Sequence, residues 1–251
     1  MGLKYKFMKF VRAILAARGY DLVRKEYAPY GQDVMVDIRR LSRQWNYATQ
    51  VCFDVGANIG QTTLRLLKEF PGATVYSFEP HPKTFAALKK NVENSASCKP
   101  FDLALGSTAG DVDLFEYDES QVNSLVQDAP YAVHRRSQPG RRIAVRSTTI
   151  DEFCSEQKFE RIDILKIDTE GFEFEVLKGA RNLLYGRKIN FVYMEFNSVH
   201  PQAGMTQAAL APIDEFLFSL GYRFVATYTD KVSVDGRFFL SCNVLYALPP
   251  A

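Results

Sequence analysis

Asp54-Val55-Gly56-Ala57-Asn58-Ile59-Gly60 follows directly on the largely apolar run 47–53 and precedes the amphipathic start Gln61-Thr62-Thr63-Leu64-Arg65-Leu66-Leu67. The pattern predicts a buried strand that breaks into a glycine-bearing turn and then enters a helix. Glycine lets the backbone turn sharply and approach a ligand with no Cβ in the way. A helix that begins at such a turn offers its first unpaired N–H groups to a ligand's polar end. The reading therefore sets a nucleotide-like pocket at the mouth of an α/β sheet.

Outward from this turn, strand and helix patterns alternate. Residues 73–78 read as a second buried strand after the Pro71-Gly72 turn, and a helix over 82–92 carries Pro82 in its first turn, where a missing N–H costs nothing. Segments 99–105, 162–167 and 188–194 continue as core strands. Helices are expected over 174–183 and 210–220, the latter closed by Gly221. The last two strands, 222–227 and 238–247, are joined too tightly for a crossover helix, which places an antiparallel strand at one edge. Such alternation builds right-handed βαβ units and a mostly parallel sheet. Residues 112–117 and 142–146 read as strands flanking a polar segment, 118–141, longer than an ordinary loop of ~12–15 residues. Residues 1–46 read as two helices with Pro29-Tyr30-Gly31 as the turn between them.

The chain has 251 residues, 47% of them hydrophobic, enough for one large domain or a domain with a small appendage. Its net charge of +2 gives no basic footprint for nucleic acid. Four scattered cysteines form no C-x-x-C pair, which argues against zinc and against a disulfide framework and suits a reducing interior. Residues 1–18 are basic and amphipathic. Lys9 and Arg12 interrupt any signal-peptide core. The expectation is a helix packed against the main domain with its lysines in water, the alternative a helix lying on an anionic membrane surface. No stretch reaches the ~20 apolar residues of a bilayer span, so a soluble, cytoplasmic protein is expected.

Two features together define the ligand. The turn has G-x-x-x-G and lacks the G-x-G-x-x-G of pyrophosphate binding and the G-K-[ST] of a P-loop. The next strand ends in Phe78-Glu79-Pro80, which sets a carboxylate about 20 residues past the turn, the offset that serves ribose hydroxyls. A ribose without a pyrophosphate fits S-adenosylmethionine, with Asp54 and the backbone around Gly56 at the methionine tail.

These stretches are similar to motifs of class I methyltransferases. Asp163-Ile164-Leu165-Lys166-Ile167-Asp168-Thr169-Glu170-Gly171-Phe172-Glu173-Phe174-Glu175-Val176-Leu177-Lys178-Gly179-Ala180 closely resembles the signature of the FkbM family within that class. Leu103-Ala104-Leu105-Gly106, Asn123-Ser124-Leu125, Thr149-Ile150-Asp151-Glu152-Phe153 and Asn243-Val244-Leu245-Tyr246 support it, and the likeness covers roughly residues 50–247. The resemblance implies an α/β, Rossmann-like sheet of seven mostly parallel strands with one antiparallel edge strand, carried by residues 47–251 behind an N-terminal helical cap, 1–46. It also implies methyl transfer from S-adenosylmethionine to a hydroxyl of a sugar, glycan or secondary metabolite. By position, Asp54, Gly56, Asn58 and Gly60 hold the methionine end, Glu79 the ribose, and Ala104 and Leu105 lie beside the adenine.

An alcohol is a poor nucleophile near neutral pH, so a general base, or a metal that acidifies the hydroxyl, is needed near the sulfonium. Asp168 is the first candidate, at the end of the fourth core strand, with Glu170 and Glu173 close behind it. Glu173 reads better as a helix N-terminal acid; Glu170 reads equally well either way. Glu195, Asn197 and His200 follow the fifth strand, and His200 titrates near neutrality. Asp168, Glu195 and Asn197 resemble the oxygen-ligand set of magnesium-dependent O-methyltransferases, although the metal-free reading is preferred. His81, between two prolines, borders the ribose or only shapes the turn. His134-Arg135-Arg136 and Arg141-Arg142 are candidates for holding an anionic acceptor. Methyl transfer to nitrogen or carbon, and a cofactor-binding scaffold without turnover, remain open from the residues. A nicotinamide-dependent oxidoreductase is disfavoured by the missing glycine fingerprint.

Overall fold

In the computed structural model, residues 3–20, 22–24, 27–117, 123–126, 141–200, 209–233 and 239–250 are described. The decisive stretch folds as read. Strand β1 (Val51–Val55) runs into the glycine turn, and helix α3 (Gln61–Glu69) leaves it. Before β1 stand helices α1 (Leu3–Ala16) and α2 (Val34–Trp45). After α3 come β2 (Thr74–Phe78), α4 (Pro82–Val92), β3 (Cys98–Phe101), β4 (Ala104–Leu105), β5 (Gly110–Glu116) and β6 (Arg141–Thr148). The chain continues through α5 (Ile150–Gln157), β7 (Ile162–Ile167), α6 (Glu173–Gly179), α7 (Arg181–Tyr185), β8 (Ile189–Phe196), α8 (Leu210–Ser219), β9 (Arg223–Ser233) and β10 (Phe239–Ala247).

Seven strands form one sheet in the order β3-β2-β1-β7-β8-β10-β9. From β3 to β8 every pairing is parallel, and β10 is antiparallel to both β8 and β9. The antiparallel strand thus lies one place in from the edge, slotted between β8 and β9. The α/β class, the seven strands and the single antiparallel strand at that end of the sheet agree with the sequence reading. The expected third strand divides: β3 joins the main sheet, whereas β4 pairs with β6, which also pairs antiparallel with β5. The expected helix over 174–183 is likewise two, α6 and α7, broken at Ala180.

Side chains alternate across the strands and fill a core on each face. Phe53, Leu165, Val192 and Val244 pack on one side, with α5, α6 and α8. Cys52, Ile164, Phe191 and Leu245 pack on the other, under α2. Helix α2 buries Val34, Met35, Ile38 and Leu41 there, each contributing about 1.5–3 kcal/mol. Its start is fixed by Asp33, whose carboxylate accepts from the N–H groups of Met35 and Val36 at 3.1 and 3.3 Å.

Helix α1 departs from expectation. Its apolar stripe was expected against the domain, yet Phe7, Met8, Phe10 and Ile14 are exposed. The 3.6-residue period specifies that a stripe exists, and nothing in it specifies what covers the stripe. Among the described residues no helix is long and apolar enough to cross a membrane, and none of the four cysteines forms a disulfide.

Candidate functional site

The carboxyl ends of β1, β2, β7 and β8 open on a cavity of about 310 Å³, within the usual size of a small-molecule site. Gly56 makes its floor. With φ at +73° it occupies the left-handed region, and a Cβ built on it would sit 1.8 Å from the Asp168 carbonyl oxygen. The turn is pinned to the neighbouring strand, because the N–H groups of Gly56 and Ala57 both donate to the Phe78 carbonyl at 3.0 Å. Asn58 also has a positive φ, 49°, which a short amide side chain tolerates. No side chain caps α3, and Gln61 and Thr62 of its first turn line the cavity.

Glu79 closes the second wall. One carboxylate oxygen accepts from the Asn58 N–H at 2.8 Å and the other from the His81 N–H at 3.0 Å. Burial raises its pKa, and these two N–H groups hold the rise back. The Thr84 side chain donates to Glu79 as well, and the carboxylate still has lone-pair capacity for a further donor. His81 shapes the turn: it caps α4, its Nδ1 lies 3.0 Å from the Thr84 hydroxyl, and its Nε2 lies 3.3 Å from Glu116. Phe78, Leu103, Ala104 and Leu105 are among the apolar residues of the lining.

Opposite stand three carboxylates. Asp168, Glu170 and Glu195 each offer an oxygen within 4.8 Å of the others. Glu170 is held by its backbone, at φ +54°, followed by Gly171 at +105°. The Ser124 hydroxyl donates to the Glu170 carbonyl at 2.8 Å. Beneath, the Glu173 carboxylate accepts from the N–H groups of Thr169 and Gly171 at 2.8 and 3.1 Å, so it serves the loop and the start of α6 as expected. Glu195 accepts from the Ser241 hydroxyl at 2.9 Å, and Asn197 lies beside it at 3.5 Å. Burial, then the charges of Glu195, Asp168 and Glu173, push the Glu170 pKa well above its ordinary 4.5, with Lys166 opposing.

Lys166 was not among the expected site residues. It is only 3% exposed, and its ammonium lies 2.9 Å from Asp54 and 3.5 Å from Asp168 and donates to the Gly56 carbonyl at 3.1 Å. Burial favours the neutral amine, but the Asp54 and Asp168 carboxylates outweigh it and raise the pKa, so Lys166 is charged. One signal pointed to it: a lysine inside a strand whose neighbours are Ile164, Leu165 and Ile167 is seldom buried without a partner.

Most of the expected site residues therefore meet in one place. Gly56, Asn58, Glu79, Ala104, Leu105, Asp168, Glu170 and Glu195 all line the cavity. Asp54 and Gly60 do not. Asp54 is fully buried behind the lining, bonded to Lys166 and to the Thr63 hydroxyl at 2.6 Å. Gly60 is the N-cap of α3. His200 is exposed and does not line the cavity. His134, Arg135 and Arg136 lie outside the described residues, and Arg142, at the start of β6, pairs with Asp113 at 3.3 Å.

A methyltransferase FkbM domain matches residues 54–224, which include the glycine turn, Glu79 and the whole carboxylate loop. Among curated proteins, the chain is similar to the hexuronic acid methyltransferase AglP of Haloferax volcanii, 29% identical over 163 residues. That match covers 64% of this chain and 62% of AglP, under two thirds of the relative's own length. It is also similar to the 2-O-methyltransferase NoeI of Sinorhizobium fredii, 29% identical over 74% of this chain and 77% of NoeI. The 31-O-demethyl-FK506 methyltransferase FkbM of Streptomyces tacrolimicus is 28% identical over 64% of this chain and 70% of its own. With the matched region running from the end of β1 into β9, across the glycine turn, Glu79 and the three carboxylates, the chain belongs to the FkbM methyltransferase-domain family.

Proposed function

We propose that the protein transfers a methyl group from S-adenosylmethionine to a hydroxyl oxygen of a sugar, glycan or secondary-metabolite acceptor. One observation carries the reading: a glycine turn, the Glu79 carboxylate and a three-carboxylate cluster share a single cavity. The residues fit the cofactor. Gly56 lets the turn lie against the Asp168 carbonyl, where any Cβ would clash, and so brings bare backbone to the cavity, and Glu79 has lone pairs to spare for the ribose. A wall of Asp168, Glu170 and Glu195, beside the ammonium of Lys166, suits a cation such as a sulfonium. When bound, the cofactor supplies an electrophilic methyl carbon. The protein's part is to hold the acceptor hydroxyl in line, exclude water and take the proton. Glu170 is the proposed base, because its raised pKa brings proton affinity toward working pH. The name of AglP gives a sugar acid as its acceptor and that of NoeI gives an oxygen as the methylated atom, and together they support an oxygen of a sugar as the acceptor.

The test is a panel of sugar and glycan acceptors incubated with labelled cofactor, with an O-linked gain of one methyl as the expected result. No methylated product from any hydroxyl acceptor, with methylation of an amine instead, would overturn it. Glu79→Ala should weaken cofactor binding by about tenfold or more in calorimetric titration, the loss of charge-assisted hydrogen bonds. Three hard oxygens within 4.8 Å also suit magnesium. Under the base reading, turnover is unchanged by a chelator; loss on chelation and recovery with magnesium would transfer the role to the metal.

The pH dependence separates these roles further. Rate should climb with pH through a limb above the ordinary carboxylate range, since the base must be ionised. Removing the neighbouring charge with Glu195→Gln should move that limb to lower pH. Glu170→Gln should erase it and cost about 10²–10⁴-fold in kcat. Stability runs the other way. A carboxyl whose folded pKa is raised contributes stability fully present below its ordinary 4.5 and lost as pH rises through the folded value. Glu170→Gln should therefore raise Tm near neutrality, and the gain should vanish in acid.

A further inference from the structure

Helix α1 presents an apolar stripe to solvent. Phe7, Phe10 and Ile14, spaced to share one helix face, are 64%, 63% and 37% exposed, and Met8 beside them is exposed as well. A helix that served the core would bury this stripe, as α2 does. The charge around it is one-sided. Lys4, Lys6, Lys9, Arg12 and Arg18 occupy the first twenty residues with no Asp or Glu before Asp21. Five positive charges there exceed the whole chain's net +2, so the rest of the chain is net acidic. Beyond the helix, Tyr20, Val23 and Tyr27 are exposed as well, and tyrosine favours a water–lipid boundary.

We propose that α1 docks on the surface of an anionic phospholipid bilayer. At 14 residues the helix is about 21 Å long, too short to span the hydrocarbon and suited to lying in its interface. Its phenylalanines enter the acyl boundary while Lys9 and Arg12 meet the headgroups. Pairing with a second copy of this chain is opposed by the same charges, because two α1 helices bring like charge to like. The proposal stands apart from methyl transfer, since no residue of α1 lines the cavity.

The full chain should cosediment with vesicles of mixed phosphatidylcholine and phosphatidylglycerol, more weakly as salt is raised, and far less with phosphatidylcholine alone. Lys9→Gln with Arg12→Gln should weaken association about 25-fold, near fivefold for each charge removed. Phe7→Ser with Phe10→Ser should abolish it while leaving cofactor affinity and Tm unchanged, which keeps the result clear of misfolding. Equal binding to neutral and anionic vesicles, or none to either, overturns the proposal. So does a concentration-dependent dimer, seen by light scattering, that the double serine variant dissolves in the absence of lipid.

Discussion

Lys166→Met is expected to destabilise the protein by about 3–5 kcal/mol, the usual cost of removing one partner from a buried ion pair. The methionine fills the space of the lysine stem but leaves the fully buried Asp54 carboxylate with only the Thr63 hydroxyl for support. It also releases the Gly56 carbonyl, to which the ammonium donates, so the cofactor floor loosens with the fold. For a chain of this size, Tm should drop by roughly 10 °C. The second arm is the double variant Asp54→Asn with Lys166→Met. If an uncompensated charge is the cause, neutralising Asp54 recovers most of the loss in urea denaturation. A double variant as unstable as the single would move the cause to packing.

Gly56→Ala should have the second large effect, and chiefly on binding. A methyl group there meets the Asp168 carbonyl at 1.8 Å, an atom of the backbone with no rotamer to yield, and the left-handed φ adds strain. Strain and overpacking each cost about 1–3 kcal/mol, so the turn moves rather than tolerating both. Displacing Gly56 also displaces the N–H groups that tie the turn to Phe78, along with the start of α3. A shift on the order of 1 Å in this floor should cost methyl transfer about 100-fold. Calorimetric titration with cofactor checks it; wild-type affinity in Gly56→Ala would show that the floor does not touch the ligand.

How much was legible beforehand follows from how local each feature is. The glycine turn and Glu79 are set by short spacings within one βαβ unit, and both stand on the cavity as read. The meeting of Asp168 and Glu170 with Glu195 follows from two strand ends being neighbours in a parallel sheet, which alternation of strands and helices announces. Lys166 escaped because its partner Asp54 lies on another strand, and only the β1–β7 register sets the two side by side. That pairing also draws Asp54 away from the cavity, where the sequence had placed it at the cofactor's tail. His200 looked apt by chemistry alone, yet the backbone carries it out to solvent. The three-stranded sheet was hidden for a similar reason: β4 belongs by position to the third core strand, and its pairing with β6 is made across more than 35 residues of chain.

The double hold on Glu79 has a thermodynamic consequence. Both of its oxygens are already fixed by main-chain N–H groups, so an arriving nucleoside meets an acid that has no conformations left to surrender. With Glu79 as the proposed ribose ligand, recognition would exchange water for hydroxyl without ordering any side chain. The free and loaded enzymes should accordingly differ little in this wall, and affinity for the adenosyl moiety should vary less among substitutions in the acceptor half of the cavity than turnover does.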